Sequence, residues 1–134
     1  MEAGQLYTLP MMPYEKLLAW KTAHQLALEI HRVTELWPRN ELYVLTAQVR
    51  RAALSIPTNI AEGVAKSGSR EFRRYLDMSL GSASELSYLL LFAGDRGLLS
   101  VQDWEQMDSR RNRAGQLLWR LYRSIQHRAN TLGH

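Results

Sequence analysis

The sequence contains no cysteine. That excludes a disulfide framework, a thiolate zinc site, an iron–sulfur centre and a cysteine nucleophile. It is compatible with a reducing compartment, and a cytoplasmic protein is the expectation. Proline is scarce, at four in 134 residues. No stretch alternates apolar and polar residues with period two over a useful length, so strands are not expected. No apolar run approaches the roughly 20 residues a membrane span needs. The residues from Met1 to Pro13 hold no Lys or Arg, and Thr8, Pro10 and Pro13 break their apolar stretches. A secretory signal needs a positive start and a longer apolar run, so this segment is expected to be a disordered tail, 1–13.

Chemical motifs are equally sparse. His24 and His31 are seven apart, and His127 and His134 lie near the C-terminal end. No His-Glu-x-x-His or Glu-x-x-His pattern exists, so no zinc or di-iron site is expected. Gly63, Gly68, Gly94 and Gly97 fit no nucleotide-binding fingerprint. Ser55, Ser79, Ser82 and Ser84 fall in helical stretches, away from any nucleophile elbow. No cofactor is expected.

What remains is helix. Ala, Leu, Glu, Gln and Arg dominate from Tyr14 onward, and apolar residues recur at threes and fours. Three punctuation points divide the chain. Pro38 stops the first helix. Gly63 and Gly68 read as turn residues, with Ser69 as an N-cap. Gly94-Asp95-Arg96-Gly97 precedes Ser100 and Asp103, which resemble a capping box. Four helices follow, over 15–36, 41–62, 70–95 and 101–128, each about 30–40 Å long. Short connections favour an antiparallel, up-down-up-down four-helix bundle over 14–128, with a frayed tail over 129–134.

Each helix has a core stripe. The first offers Trp20, Ala23, Leu26, Ala27, Ile30, Val33 and Trp37. The second offers Leu42, Leu45, Val49, Ala52, Ala53, Ile56 and Ile60. The third offers Phe72, Tyr75, Leu76, Ala83, Leu86, Leu90 and Ala93, and the fourth Trp104, Met107, Ala114, Leu118, Leu121, Tyr122 and Ile125. These spacings suit a bundle. The second helix also carries a second stripe, Val44, Ala47, Arg51, Leu54, Thr58 and Ala61. On the third helix Met78, Leu80, Tyr88, Leu91 and Phe92 lie off the core stripe. A helix apolar on most sides is buried on most sides. A homo-oligomer is therefore expected, with Tyr88, Leu91 and Phe92 beside the second-helix stripe as its interface, and closed cyclic symmetry as the default.

Pro57 lies within the second helix and should kink or interrupt it. Asn59 and Glu62 are polar positions among Ile60, Ala61 and Gly63. They either satisfy backbone groups freed at Pro57, pair with an Arg, or form a catalytic pair. A lone carboxylate with no second acid, His or metal ligand nearby argues against catalysis, and a non-enzyme is expected. Glu85 should pair with Arg50 or Arg51.

Basic residues are the strongest chemical signal. Seventeen Lys and Arg stand against 13 acids, and 14 of the 17 are Arg. From Arg110 to Arg128 there are six Arg and no acid; from Arg50 to Arg74, six basic residues face Glu62 and Glu71. On a helical wheel Arg113, Arg120 and Arg123 point away from the core. The guanidinium fork suits phosphate because it donates two bonds at once. These three, then Arg70, Arg73 and Arg74, are the candidate nucleic-acid-binding residues. The competing reading is a solvated charged face with ion pairs between subunits through Glu29, Glu35, Asp77 or Asp108. Trp119 or Tyr88 could stack on bases if exposed. Arg111 falls on the core stripe and should be buried beside a carboxylate.

The run Ser55-Ile56-Pro57-Thr58-Asn59-Ile60-Ala61-Glu62-Gly63 resembles the Ser-Ile-Pro-x-Asn-Ile-Ala-Glu-Gly motif of the 23S rRNA intervening-sequence protein family. Trp20-Lys21 with Ala23, then Pro38, Glu41, Leu45, Gln48 and Arg50-Arg51, precede it as in that family. Glu71-Phe72, Tyr75-Leu76, Gly81-Ser82 and Glu85-Leu86 follow it. The resemblance spans about residues 14–125. It implies a four-helix bundle assembled as a homopentameric ring, in which Ser55, Pro57, Asn59, Glu62, Gly63 and Glu85 form a structural motif. Some members are encoded within 23S rRNA genes. A relative, the accessory protein of diversity-generating retroelements, binds nucleic acid as a basic pentamer and works with a reverse transcriptase. The resemblance supplies no catalytic residues. It leaves two roles: binding of structured RNA or DNA, or a scaffold for a polymerase-type protein partner.

Overall fold

A computed structural model describes residues 11–132, and side chains as far as 128. The first ten residues of the expected tail and the last two of the chain lie outside the described residues. The regular structure of the described residues is all helical, with no strand. Tyr14 sits in a 3-10 turn, Pro13–Lys16, that Pro13 opens. Leu17 then adopts an extended conformation, which delays the first α-helix. The helices are α1 (Leu18–Thr34), α2 (Ala47–Val64), α3 (Ser69–Asp95) and α4 (Val101–Leu132).

α1 ends two residues earlier than 36. Thr34 Oγ1 donates back to the carbonyls of Ile30 and His31, at 2.8 and 3.0 Å, and closes the last turn. Two shorter elements fill the start of the expected second helix. Arg39–Glu41 is a 3-10 turn and Leu42–Thr46 a π-helical turn, in which the Ala47 amide reaches back to the Leu42 carbonyl. This wider turn rotates the helix face, as π insertions do. Leu42, expected in the core, is 38% exposed as a result.

α2 runs through Pro57 without interruption. The turn around it is hydrogen-bonded by side chains. Thr58 Oγ1 donates to the Leu54 carbonyl, Asn59 Nδ2 to the Ser55 carbonyl and Ser79 Oγ to the Ile56 carbonyl, at 2.8, 2.9 and 2.8 Å. These bonds brace the residues on either side of the proline, while the carbonyl its missing N–H would have met is that of Ala53. Gly63 is not a turn residue. It lies inside α2, and a Cβ there would stand 2.9 Å from Tyr75 Cβ and 3.0 Å from Phe72 Cδ1. Its missing side chain lets α3 approach.

The connection to α3 turns at Gly68, whose φ of +84° favours glycine. Gly68, not Ser69, is the N-cap, and no side chain caps this end. Ser100 does cap α4: its Oγ accepts from the Asp103 amide at 3.0 Å. α4 is helical to Leu132, past the expected end at 128.

α3 packs on α2 and α4, and α1 on the same two helices. Ala23, Leu26, Ile30, Val49, Ile56, Ile60, Leu76, Leu86, Leu90, Met107, Leu118 and Ile125 fill the shared core. Leu89 and Ser79 join it, and Leu80, expected off the core, packs against its edge. No described helix is long and apolar enough to cross a membrane.

Candidate nucleic-acid interface

The helix pairings decide which basic residues meet. Arg113, Arg120 and Arg123 are all exposed on α4 and form no ion pair among the described residues. Arg113 lines a groove of about 450 Å³ between α1 and α4, with Lys21, Thr22, Gln25, Ser109 and Arg110. Three cations share this groove, and its lining has no carboxylate. Lys21 and Arg110 are the residues that sequence reasoning missed. Arg110 lies one turn from Arg113, a readable signal, but Lys21 joins only through the packing of α1 on α4.

Arg123 lies further along α4, its guanidinium 6.0 Å from the Trp119 ring centroid. Arg120 is exposed between the two and lines neither groove. Arg70, Arg73 and Arg74 line a second groove, between α3 and α4, with Glu71, Asp77 and Tyr122. Arg74 is the one of the three with an ion pair, to Glu71 at 3.3 Å. That hydrogen-bonded carboxylate raises the Arg74 pKa above its ordinary value. Two cations lie near the Tyr75 ring: Arg74 is 4.9 Å and Lys66 5.4 Å from its centroid. The ring faces attract both charges without neutralising them.

A different face carries the surplus apolar residues. Val44, Leu54, Tyr88, Leu91 and Phe92 are exposed, by 67%, 61%, 63%, 48% and 37%. Arg51 and Thr58 are exposed beside them, and Ala47 and Ala61 are half-buried. A groove between α2 and α3 runs along this face, lined by Gln48, Arg51, Leu54, Ser55, Thr58 and Glu85. The expected pairing of Glu85 with Arg50 or Arg51 does not form. Arg50 reaches to α1 instead, where Nε donates to Thr34 Oγ1 at 2.8 Å. Glu85 and Arg51 line the same groove without an ion pair. Ser55, which also lines this groove, shares a 2.8 Å hydrogen bond between its Oγ and that of Ser82.

Asn59 and Glu62 are not held together. Asn59 Nδ2 is committed to the carbonyl and hydroxyl of Ser55. Glu62 is exposed and lines a separate groove with Tyr14, Trp20 and His24, where the His24 ring is stacked on Trp20 at 4.9 Å. Arg111 has its carboxylate, Asp108 at 3.1 Å, but is half-buried rather than buried. Among the described residues no group of three His, Cys, Asp or Glu is placed to hold a metal.

The sequence pattern of the 23S rRNA-intervening sequence proteins matches residues 15–120. No curated protein matches this chain. The chain is similar to a crystal structure of a protein of unknown function from the S23 ribosomal protein family of Bacteroides thetaiotaomicron VPI-5482. The TM-score is 0.73 at 20% identity, over 79% of this chain and 96% of that one. At that identity the likeness shows a shared fold.

Proposed function

The chain belongs to the 23S rRNA-intervening sequence protein family, and on that premise we propose a non-enzymatic, cytoplasmic homo-oligomer that binds structured RNA or another nucleic acid. The observation that carries the reading is the α1/α4 groove, where Lys21, Arg110 and Arg113 converge with no carboxylate in the lining. Isolated cations on a solvated surface are normally interspersed with acids. Three that share one concave surface raise the local potential and suit phosphate. Arg120 and Arg123 extend this charge along α4, and Arg70, Arg73 and Arg74 add a second basic groove. Such residues grip phosphate and carry no base sequence.

The assembly is a ring of antiparallel bundles, and five copies is the number the family resemblance implies. Arg50 of α2 bonding to the C-terminal turn of α1 supports the antiparallel arrangement. The exposed stripe of Val44, Leu54, Tyr88, Leu91 and Phe92 supports self-association. Closed repetition would multiply the basic grooves around one particle.

Fluorescence-anisotropy titration of the purified oligomer with a structured ribosomal RNA fragment, repeated across salt concentrations, tests this. The expected result is tight binding whose log affinity falls linearly with log salt, by about 0.9 per neutralised duplex phosphate. Weak binding that vanishes by about 0.1–0.2 M salt is generic polycation attraction and overturns it.

An apolar groove lined by Leu91, Gly94, Asp95, Leu99, Val101 and Trp104 favours a second reading. In it the ring is a scaffold for a protein partner such as a polymerase, with no nucleic-acid role of its own. Failure of all nucleic-acid binding, with the oligomer intact, would leave this reading standing.

A further inference from the structure

Phosphate binding accounts for the arginines of the α3/α4 surface but not for its aromatics. Trp119 is 48% exposed on α4. Its ring centroid lies 5.5 Å from that of Tyr122, and the two planes are 11° apart. Tyr122 in turn borders the groove of Arg70, Arg73 and Arg74. Arg123, one turn beyond Trp119, holds its guanidinium 6.0 Å from the indole centroid. Of two nearly parallel rings, Tyr122 therefore shares a groove with three arginines and two carboxylates, Glu71 and Asp77, and Trp119 has the Arg123 guanidinium beside it.

A duplex offers phosphates and groove edges, while its base faces are occupied by their neighbours. An exposed flat ring adds little to duplex binding. A single strand offers phosphates and free base faces together. Basic grooves with aromatic platforms are the usual means of binding it, because every base has a π-face. The separation of Arg123 and Trp119 is at the outer limit for a cation–π interaction. A base can replace that guanidinium on the ring, and the guanidinium then meets the adjoining phosphate.

Resting on the nucleic-acid reading above, we infer that Trp119 and Tyr122 are a stacking platform for an unpaired base. Arg123, Arg70 and Arg73 hold the flanking phosphates. The preferred ligand is a single-stranded segment rather than a continuous duplex.

The test compares a short single-stranded oligonucleotide with the duplex of the same sequence, on the intact oligomer, by fluorescence anisotropy. Trp119→Ala is expected to weaken single-strand binding about tenfold, the effect of losing one base–aromatic stack, and to leave duplex binding unchanged. Trp119→Phe is expected to keep most of the affinity. Indole emission should be quenched when the native protein binds the single strand, and the Trp119→Phe variant should lose that quenching. The Phe variant decides the matter if the Ala variant fails to fold.

Unchanged single-strand affinity in Trp119→Ala overturns the platform. So does an equal loss on single strand and duplex. So does a change in the number of copies by light scattering, which would make Trp119 part of the interface between chains. If the native protein binds duplex with no preference for single strand, only this inference falls. If it binds neither, the nucleic-acid reading falls with it.

Discussion

Ser79 Oγ, on α3, donates a 2.8 Å hydrogen bond to the Ile56 carbonyl of α2, and no part of Ser79 reaches solvent. The hydroxyl meets α2 at the residue before Pro57 and ties the two helices together there. Ser79→Ala is expected to lower stability by about 1 kcal/mol, the net worth of one such bond. Urea denaturation reads this as a lower midpoint at constant slope. An unchanged midpoint would show that the hydroxyl adds nothing.

Gly63 and Gly115 should respond to alanine in opposite directions. At Gly63 the new Cβ meets Tyr75 Cβ at 2.9 Å and a Phe72 backbone oxygen at 3.3 Å. Overpacking of this kind costs roughly 1–3 kcal/mol, more than the helix propensity alanine brings, about 1 kcal/mol. Gly63→Ala is expected to lower the melting temperature. At Gly115 nothing lies within 4 Å, so Gly115→Ala is expected to stabilise by about 0.5–1 kcal/mol. Thermal unfolding of the two variants side by side checks the contrast.

Leu54 and Tyr88 are 61% and 63% exposed in the single chain. Leu54→Asp and Tyr88→Asp are expected to place charges in the interface between copies and break the assembly. Light scattering on the native protein should give about five times the 15.5 kDa of one chain. The double variant should give one. A native mass equal to one chain refutes the oligomer directly.

Charge in the α1/α4 groove has a countable signature. Replacing Lys21, Arg110 and Arg113 together by Ala is expected to reduce the salt slope of RNA binding by about 0.9 for each phosphate that is no longer neutralised. Charge reversal at Arg113, Arg120 and Arg123 should weaken binding for all sequences alike. A variant with native affinity and native slope would move the interface elsewhere.

Much of the bundle is legible in the sequence because helical periodicity is a local signal. Leu26, Ile30, Val49, Ile56, Leu86 and Leu118 declare the core through spacings of three and four. Leu42 does not, because a π turn between it and the helix body rotates it outward, and no residue type announces such a turn. Gly63 reads as a turn, since glycine allows both uses; only the position of Tyr75 on the neighbouring helix separates them. The candidate interface is half legible. The excess of Arg on α4 can be counted. Which cations share a groove depends on helix pairing, and that brings Lys21 to Arg113 and Tyr122 to Arg70. Arg50 and Glu85 match by charge alone, but a backbone-supported hydroxyl, Thr34, gives Arg50 the nearer partner.

One surface ion pair carries a consequence for time rather than for shape. Arg96, just past the end of α3, is bonded to Glu41, the last residue of the 3-10 turn ahead of the π turn and α2, across 55 residues of chain. A pair such as this, half-open to solvent on the Arg96 side, contributes on the order of 1 kcal/mol. That is too little to draw together the ends of so long a segment, whose closure entropy grows with its length. The pair is expected to form late, after α2 and α3 have docked, and so to contribute little to the folding transition state. Glu41→Gln should therefore leave the refolding rate unchanged and quicken unfolding. The link acts as a latch on the finished bundle and lengthens the lifetime of the native state.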